Sequence, residues 1–107
     1  MNSNAIADIA ANIRLMEKLK SKMLSNLAGV FDGMAGASHD AAIDDKLAEI
    51  IIGAYLLGEK LGFDYDTINE IMMNKIKILI LSGDAPHKEY NELSSWLKGK
   101  AESADKS

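Results

Sequence analysis

The sequence predicts an all-α protein, a bundle of four helices, on three observations. Apolar side chains recur at intervals of three and four along most of the chain, the spacing that lines one face of a helix. The stretches so patterned are separated by short clusters of glycine and serine and by the single proline, residues that end helices. No segment alternates apolar and polar residues convincingly with the period of two of a strand, and none carries turns suited to hairpins.

The first helix is predicted from about Asn4 to Asp32, with Ile6, Ile9, Ile13, Met16, Met23, Leu27, Val30 and Met34 on one face. Ser3 or Asn4 can cap its start, and the cluster of Gly33, Gly36 and Ser38 ends it. Lys20 interrupts the apolar seam. Either it snorkels to solvent along its hydrocarbon stem, or it is a buried cation available to an anion.

The second helix is expected to begin after Ser38, its cap, and to stop at Leu61. Gly62 supplies a left-handed residue just past the end, and Phe63 the apolar residue that folds back. Its run Ile50-Ile51-Ile52-Gly53-Ala54-Tyr55-Leu56-Leu57 is too apolar for a single stripe, so burial on nearly all sides is predicted, by this chain and by another. That leaves Asp45, Lys46 and Glu49, at the head of the helix, as its polar positions of interest.

The third helix is capped by Asp64 or Asp66, carries Ile68, Ile71, Met72, Ile76, Leu79 and Ile80 on one face, and ends at Ser82-Gly83, with Lys75 and Lys77 outward. Pro86 suits the first turn of a fourth, shorter helix whose stripe is Tyr90, Leu93, Trp96 and Leu97. Residues 1–99 are thus expected to form one domain, and the small polar residues 100–107 a flexible tail.

A chain of 107 residues buries only a modest fraction of its surface, so association into a dimer, tetramer or larger closed assembly is a reasonable way to complete the core. With 48% hydrophobic and 26% charged residues the composition is that of a globular protein. The longest apolar run falls short of the roughly 18 residues of a membrane span, and the N-terminus lacks the order of a signal peptide, so a cytoplasmic location and no membrane partner are expected. The absence of cysteine excludes disulfides, thiolate zinc sites and cysteine nucleophiles. A net charge of −4 argues against DNA or RNA as a partner, although local lysines can still hold a small anion.

Among candidate chemistries, a serine–histidine–acid arrangement has nothing to order it, because His39 sits in a turn and His87 at a helix start. Carboxylates three or four residues apart share a helix face and can build an oxygen cage for magnesium. Asp45 with Glu49, Asp66 with Glu70, and Glu89 with Glu92 have that spacing, but Asp66 and Glu70 lie in a first turn, where negative charge simply favours the helix dipole. Glu49 differs because it adjoins the most apolar segment, where an ionised carboxylate needs a partner. Lys46 is three residues earlier and can be that partner, in a structural ion pair or in a polar pocket between helices. Tyr55 and Trp96 could wall such a pocket or simply pack.

The segment LAEIIIGAYLLGEKLGFDYDTI, Leu47 to Ile68, resembles the second metal-binding helix and following turn of MazG-type nucleotide pyrophosphohydrolases. NIRLMEKLKSKMLSNLAGVF, Asn12 to Phe31, is similar to that family's first long helix, and HKEYNELSSWLK, His87 to Lys98, to its C-terminal helix. Most of the chain is similar to the short MazG-like proteins of Gram-positive bacteria and their phages. The resemblance implies two long antiparallel helices, dimers or tetramers, and magnesium-assisted cleavage of nucleoside triphosphates to monophosphate and pyrophosphate. It also implies two acids on each of the first two helices, at positions that fall near Met23 and Asn26 and on Lys46 and Glu49, of which only Glu49 is acidic. Lys75 stands where the family often carries a basic residue towards phosphate.

One carboxylate and one amide offer little charge to a catalytic magnesium ion, whereas Lys46 reverses the sign of the site and can meet a phosphate directly. The expected function is therefore binding of a nucleotide or other phosphorylated ligand without turnover, as in a phage-type nucleotide sponge, with Lys20, Lys22, Asn26, Lys46, Glu49 and Lys75 as candidate site residues and no cofactor. The alternatives are a divergent pyrophosphohydrolase, with magnesium held at Glu49, and a structural or protein-binding module.

Overall fold

A computed structural model describes residues 3–36, 42–83 and 85–106, and they form four helices in chain order: α1, Ser3–Met34; α2, Ile43–Lys60; α3, Tyr65–Leu81; and α4, His87–Lys106. The predicted cap Ser38 and the predicted turn residue His39 lie outside the described residues. No strand occurs among the described residues, as the helical spacing requires. The chain divides into two compact units, Met1–Tyr65 and Asp66–Ser107.

In the first unit α1 packs against α2. The pairing is antiparallel: Gly53 of α2 lies at Met23 of α1, and Lys46 of α2 lies at Gly29 of α1, so the partner number falls as α1 advances. Among the described residues Leu19 and Val30 of α1 are the buried side chains of this pair.

Each end of α2 has a distinct local cause. At its start Ala42 adopts a left-handed conformation (φ 43°, ψ 54°) that an L side chain resists, and it offers no side-chain cap. The Asp44 carboxylate serves the first turn instead, accepting from the Asp45 N–H at 2.8 Å. At the other end Gly62 takes φ 101°, its N–H donates to the Glu59 carbonyl oxygen at 3.1 Å, and the Phe63 N–H donates to that of Gly58 at 2.9 Å. This paired closure is the stop that Gly62 and Phe63 predict.

The prediction that α2 is buried on nearly all sides needs correction for the single chain. Gly53 is its only buried residue among those described, while Ile51 and Ile52 remain 58% and 56% exposed. One neighbouring helix covers one face of a cylinder, and α1 covers that one.

In the second unit α3 ends as predicted at Ser82-Gly83, where Gly83 takes φ 76° and its N–H donates to the Ile80 carbonyl oxygen. The same carbonyl oxygen accepts from His87 Nε2, which ties the start of α4 to the end of α3. Pro86 sits one residue before α4 rather than in its first turn, and its carbonyl oxygen accepts from the Tyr90 N–H at 3.2 Å. Among the described residues Ile76 is the buried apolar residue of this unit.

The fourth helix is not short. It spans 20 residues and runs through Gly99 to Lys106, past the point where the sequence reading begins a flexible tail. An interior glycine costs about 1 kcal/mol, and the alanines, glutamate and lysines that follow favour the helix enough to carry it on.

Candidate functional site

The α1–α2 pair encloses a cleft of about 160 Å³. Its walls are Leu19, Lys22, Met23 and Asn26 from α1, and Glu49, Ile52, Gly53 and Leu56 from α2. Both sets follow the spacing i, i+3, i+4, i+7, so each helix contributes one continuous face. Five of the eight residues are apolar or glycine, and Lys22, Asn26 and Glu49 supply the polar groups.

Two glycines let the helices come this close. A Cβ added at Gly53 would sit 2.9 Å from Met23 Cγ, and one added at Gly29 would sit 2.5 Å from Lys46 Cε and 2.7 Å from its Cδ. Each helix therefore carries a glycine socket filled by a side chain of the other: Met23 over Gly53, and the hydrocarbon stem of Lys46 over Gly29. Sequence reasoning missed both glycines as site-forming residues. Their signal was present, since each interrupts a long helix where a breaker has no local purpose.

Of the predicted site residues, Lys22, Asn26 and Glu49 come together in the cleft. Lys46 is not among its lining residues, because its stem is laid across Gly29. Lys20 also lies outside the lining and forms an exposed ion pair with Glu17 at 2.9 Å, the snorkelling outcome for that seam position. Lys75 belongs to α3, in the second unit, and is exposed. Tyr55 meets Tyr65 edge to face with ring centroids 6.1 Å apart, and the exposed Trp96 carries the Lys100 ammonium 5.5 Å above its ring. His87 serves the α3–α4 turn.

All four positions at which the resemblance sets acids can now be placed. Met23, Asn26 and Glu49 line the α1–α2 cleft, and Lys46 packs one socket along. The matching family model covers residues 9–93 and describes a MazG-like family. The chain belongs to the MazG-like family. No curated protein and no solved structure matches it. The match takes in nearly all of α1, the whole of α2 and α3, and the first turns of α4.

The residues of this MazG-like chain do not fit a magnesium centre. Magnesium requires several hard oxygen ligands in a near-octahedral shell. Here the polar side chains lining the cleft are one carboxylate, Glu49, one amide, Asn26, and one ammonium, Lys22. Among the described residues, no group of three or more histidine, aspartate or glutamate side chains is placed to hold a metal ion. Nor does any described helix have the length and apolar character to cross a membrane.

Proposed function

We propose that this MazG-like chain binds a nucleotide or related phosphorylated ligand without cleaving it, and that it does so as a homo-oligomer. One observation carries the reading: two of the four positions that the family resemblance assigns to acids are occupied by Met23 and Lys46, and both side chains are committed to packing in glycine sockets. Lewis-acid activation of water needs the carboxylates that those residues replace. Anion recognition does not, since Lys22 and the Asn26 amide are donors and the Lys46 ammonium adds positive charge at the head of α2.

The size of the cleft supports the oligomeric part of the reading. At about 160 Å³ it falls below the roughly 300 Å³ at which sites for small organic molecules begin, so one chain encloses part of a ligand. Ile51 and Ile52 stand more than half exposed on α2, beside the cleft residue Gly53. Covering that apolar surface with a second copy removes it from water and deepens the cleft. A nucleotide sponge of a phage or mobile element is the concrete form of this proposal.

The test is isothermal titration of the full chain against a panel of linear and cyclic nucleotides, with and without magnesium, accompanied by an assay for pyrophosphate release. The expected result is binding that does not need magnesium, weakened about tenfold by Lys22→Gln, with no pyrophosphate formed. Absence of binding at millimolar ligand overturns the proposal. Magnesium-dependent pyrophosphate release that disappears in Glu49→Ala overturns it in favour of a divergent pyrophosphohydrolase. A monomer by light scattering at all concentrations removes the oligomeric part and favours a different protein as the partner of α2.

A further inference from the structure

The second unit contains a larger opening than the α1–α2 cleft, about 350 Å³, formed between α3 and α4. Among the described residues the two helices bordering it make no close backbone contact, and the face α4 turns to it is polar, whereas packed amphipathic helices ordinarily face each other with apolar stripes. Here α4 contributes Asn91, Ser94, Ser95 and Lys98, spaced i, i+3, i+4, i+7, so an entire polar face lines the cavity. The apolar stripe of α4 points elsewhere, leaving Trp96 58% exposed. From α3 come Lys77 and Asn74, with Met73 and Ile80 as an apolar floor. Among the described residues, no carboxylate lines the cavity, although the whole chain has a net charge of −4.

We propose that this α3–α4 cavity is a binding site for a small hydroxyl-bearing monophosphate, of the size of a five- or six-carbon sugar phosphate. Lys77 lines the opening from α3 and Lys98 from α4, and Ser94 and Ser95 on the α4 side supply hydroxyl donors; together these match the negative charge and acceptor oxygens of one phosphate. Asn91 is held in place by the bond from its Nδ2 to the His87 carbonyl oxygen at 3.1 Å, so its Oδ1 is the atom that takes a ligand hydroxyl. Met73 and Ile80 receive the carbon skeleton. The volume lies at the small end of ligand sites, roughly 300 to 1,000 Å³, and suits a monophosphate better than a nucleoside triphosphate.

This site is independent of the nucleotide reading. It shares no residue with the α1–α2 cleft. It also differs from the family-like position Lys75, because Lys77 is two residues further on and about 200° around α3.

The probes are ribose 5-phosphate, ribose and inorganic phosphate, each titrated into the isotopically labelled full chain and followed by amide NMR. Ribose 5-phosphate is expected to shift amides at 74, 77 and 91–98, to bind about tenfold more tightly than inorganic phosphate, and to leave ribose without a measurable effect. The double variant Lys77→Gln, Lys98→Gln weakens binding by about tenfold or more, while Lys88→Gln, which alters an exposed lysine paired with Glu92 at 3.8 Å, leaves it unchanged. Both cavity lysines are exposed, so the variants keep their fold, which the same spectra verify.

Shifts scattered over many surface lysines, or equal losses in Lys88→Gln and the double variant, reduce the effect to general charge attraction and overturn the proposal. Shifts confined to Lys22, Asn26 and Glu49 also overturn it, while leaving the nucleotide cleft standing. The two proposals therefore fail separately.

Discussion

Two helix pairs with similar apolar spacing differ in how they are joined: α1 packs closely on α2, whereas α3 and α4 border an open groove. Along α1 and α2, glycines at 29 and 53 admit a lysine stem and a methionine from the opposite helix, and the space left between the pair is about 160 Å³. Along α3 and α4 the facing residues of α4 are Asn91, Ser94, Ser95 and Lys98, and the opening is about 350 Å³. The difference teaches that apolar periodicity decides whether a helix has a covered face, whereas the size and polarity of individual facing residues decide whether the seam closes or remains a cavity.

The largest test of this contrast strikes the closed seam. Gly53→Leu drives a branched side chain into the space of Met23 Cγ, and a destabilisation of about 2 kcal/mol is expected in urea unfolding, even after the roughly 1 kcal/mol recovered when glycine leaves a helix interior. Adding Met23→Ala should return most of that loss by emptying the socket. An unchanged midpoint in the single variant would mean that the seam is not closed there.

A smaller effect sharpens where the α2 wall ends. Gly62→Ala places a Cβ in open space, so its cost is that of the backbone at φ 101° alone, about 1 kcal/mol. A loss well above this value would imply side-chain crowding that the open surroundings of Gly62 exclude.

The smallest effect belongs to the open pair. Gly99 lies inside α4 with nothing within 4 Å of an added Cβ, so Gly99→Ala should raise helicity and stabilise α4 by about 0.5 kcal/mol. Circular dichroism and amide exchange at residues 100–103 read the change. No gain in either would restore a helix end at Gly99.

These contrasts mark how far the residues were legible in sequence. The spacing of Ile6 through Met34 and the Gly62-Phe63 stop specify helix and terminus through local chemistry, and both are realised. Glu49 was legible because a carboxylate beside the most apolar segment of α2 needs a partner, Asn26 was pointed to by the family resemblance alone, and Lys22 only as a neighbouring lysine; all three line the α1–α2 cleft. Gly29 and Gly53 were not recognised, because a glycine that receives a side chain from another helix cannot be told from one that loosens its own. Residues 100–107 read as a flexible tail because they are small and polar, a composition that does not distinguish a frayed end from the helix that α4 continues to Lys106. The polar face of α4 reads as a solvated surface until α3 is placed opposite.

The lysine stem over Gly29 also couples positions 29 and 46. Placing an acid at position 46 by Lys46→Glu would shorten the side chain and open a hole above a residue that has no side chain of its own to fill it. A side chain at Gly29 would collide only with Cδ and Cε of Lys46, the far end of a flexible chain that can swing aside at little cost. The two positions are therefore unequal partners: enlarging Gly29 displaces a flexible stem, whereas shortening Lys46 uncovers the α1 backbone that the stem now shields.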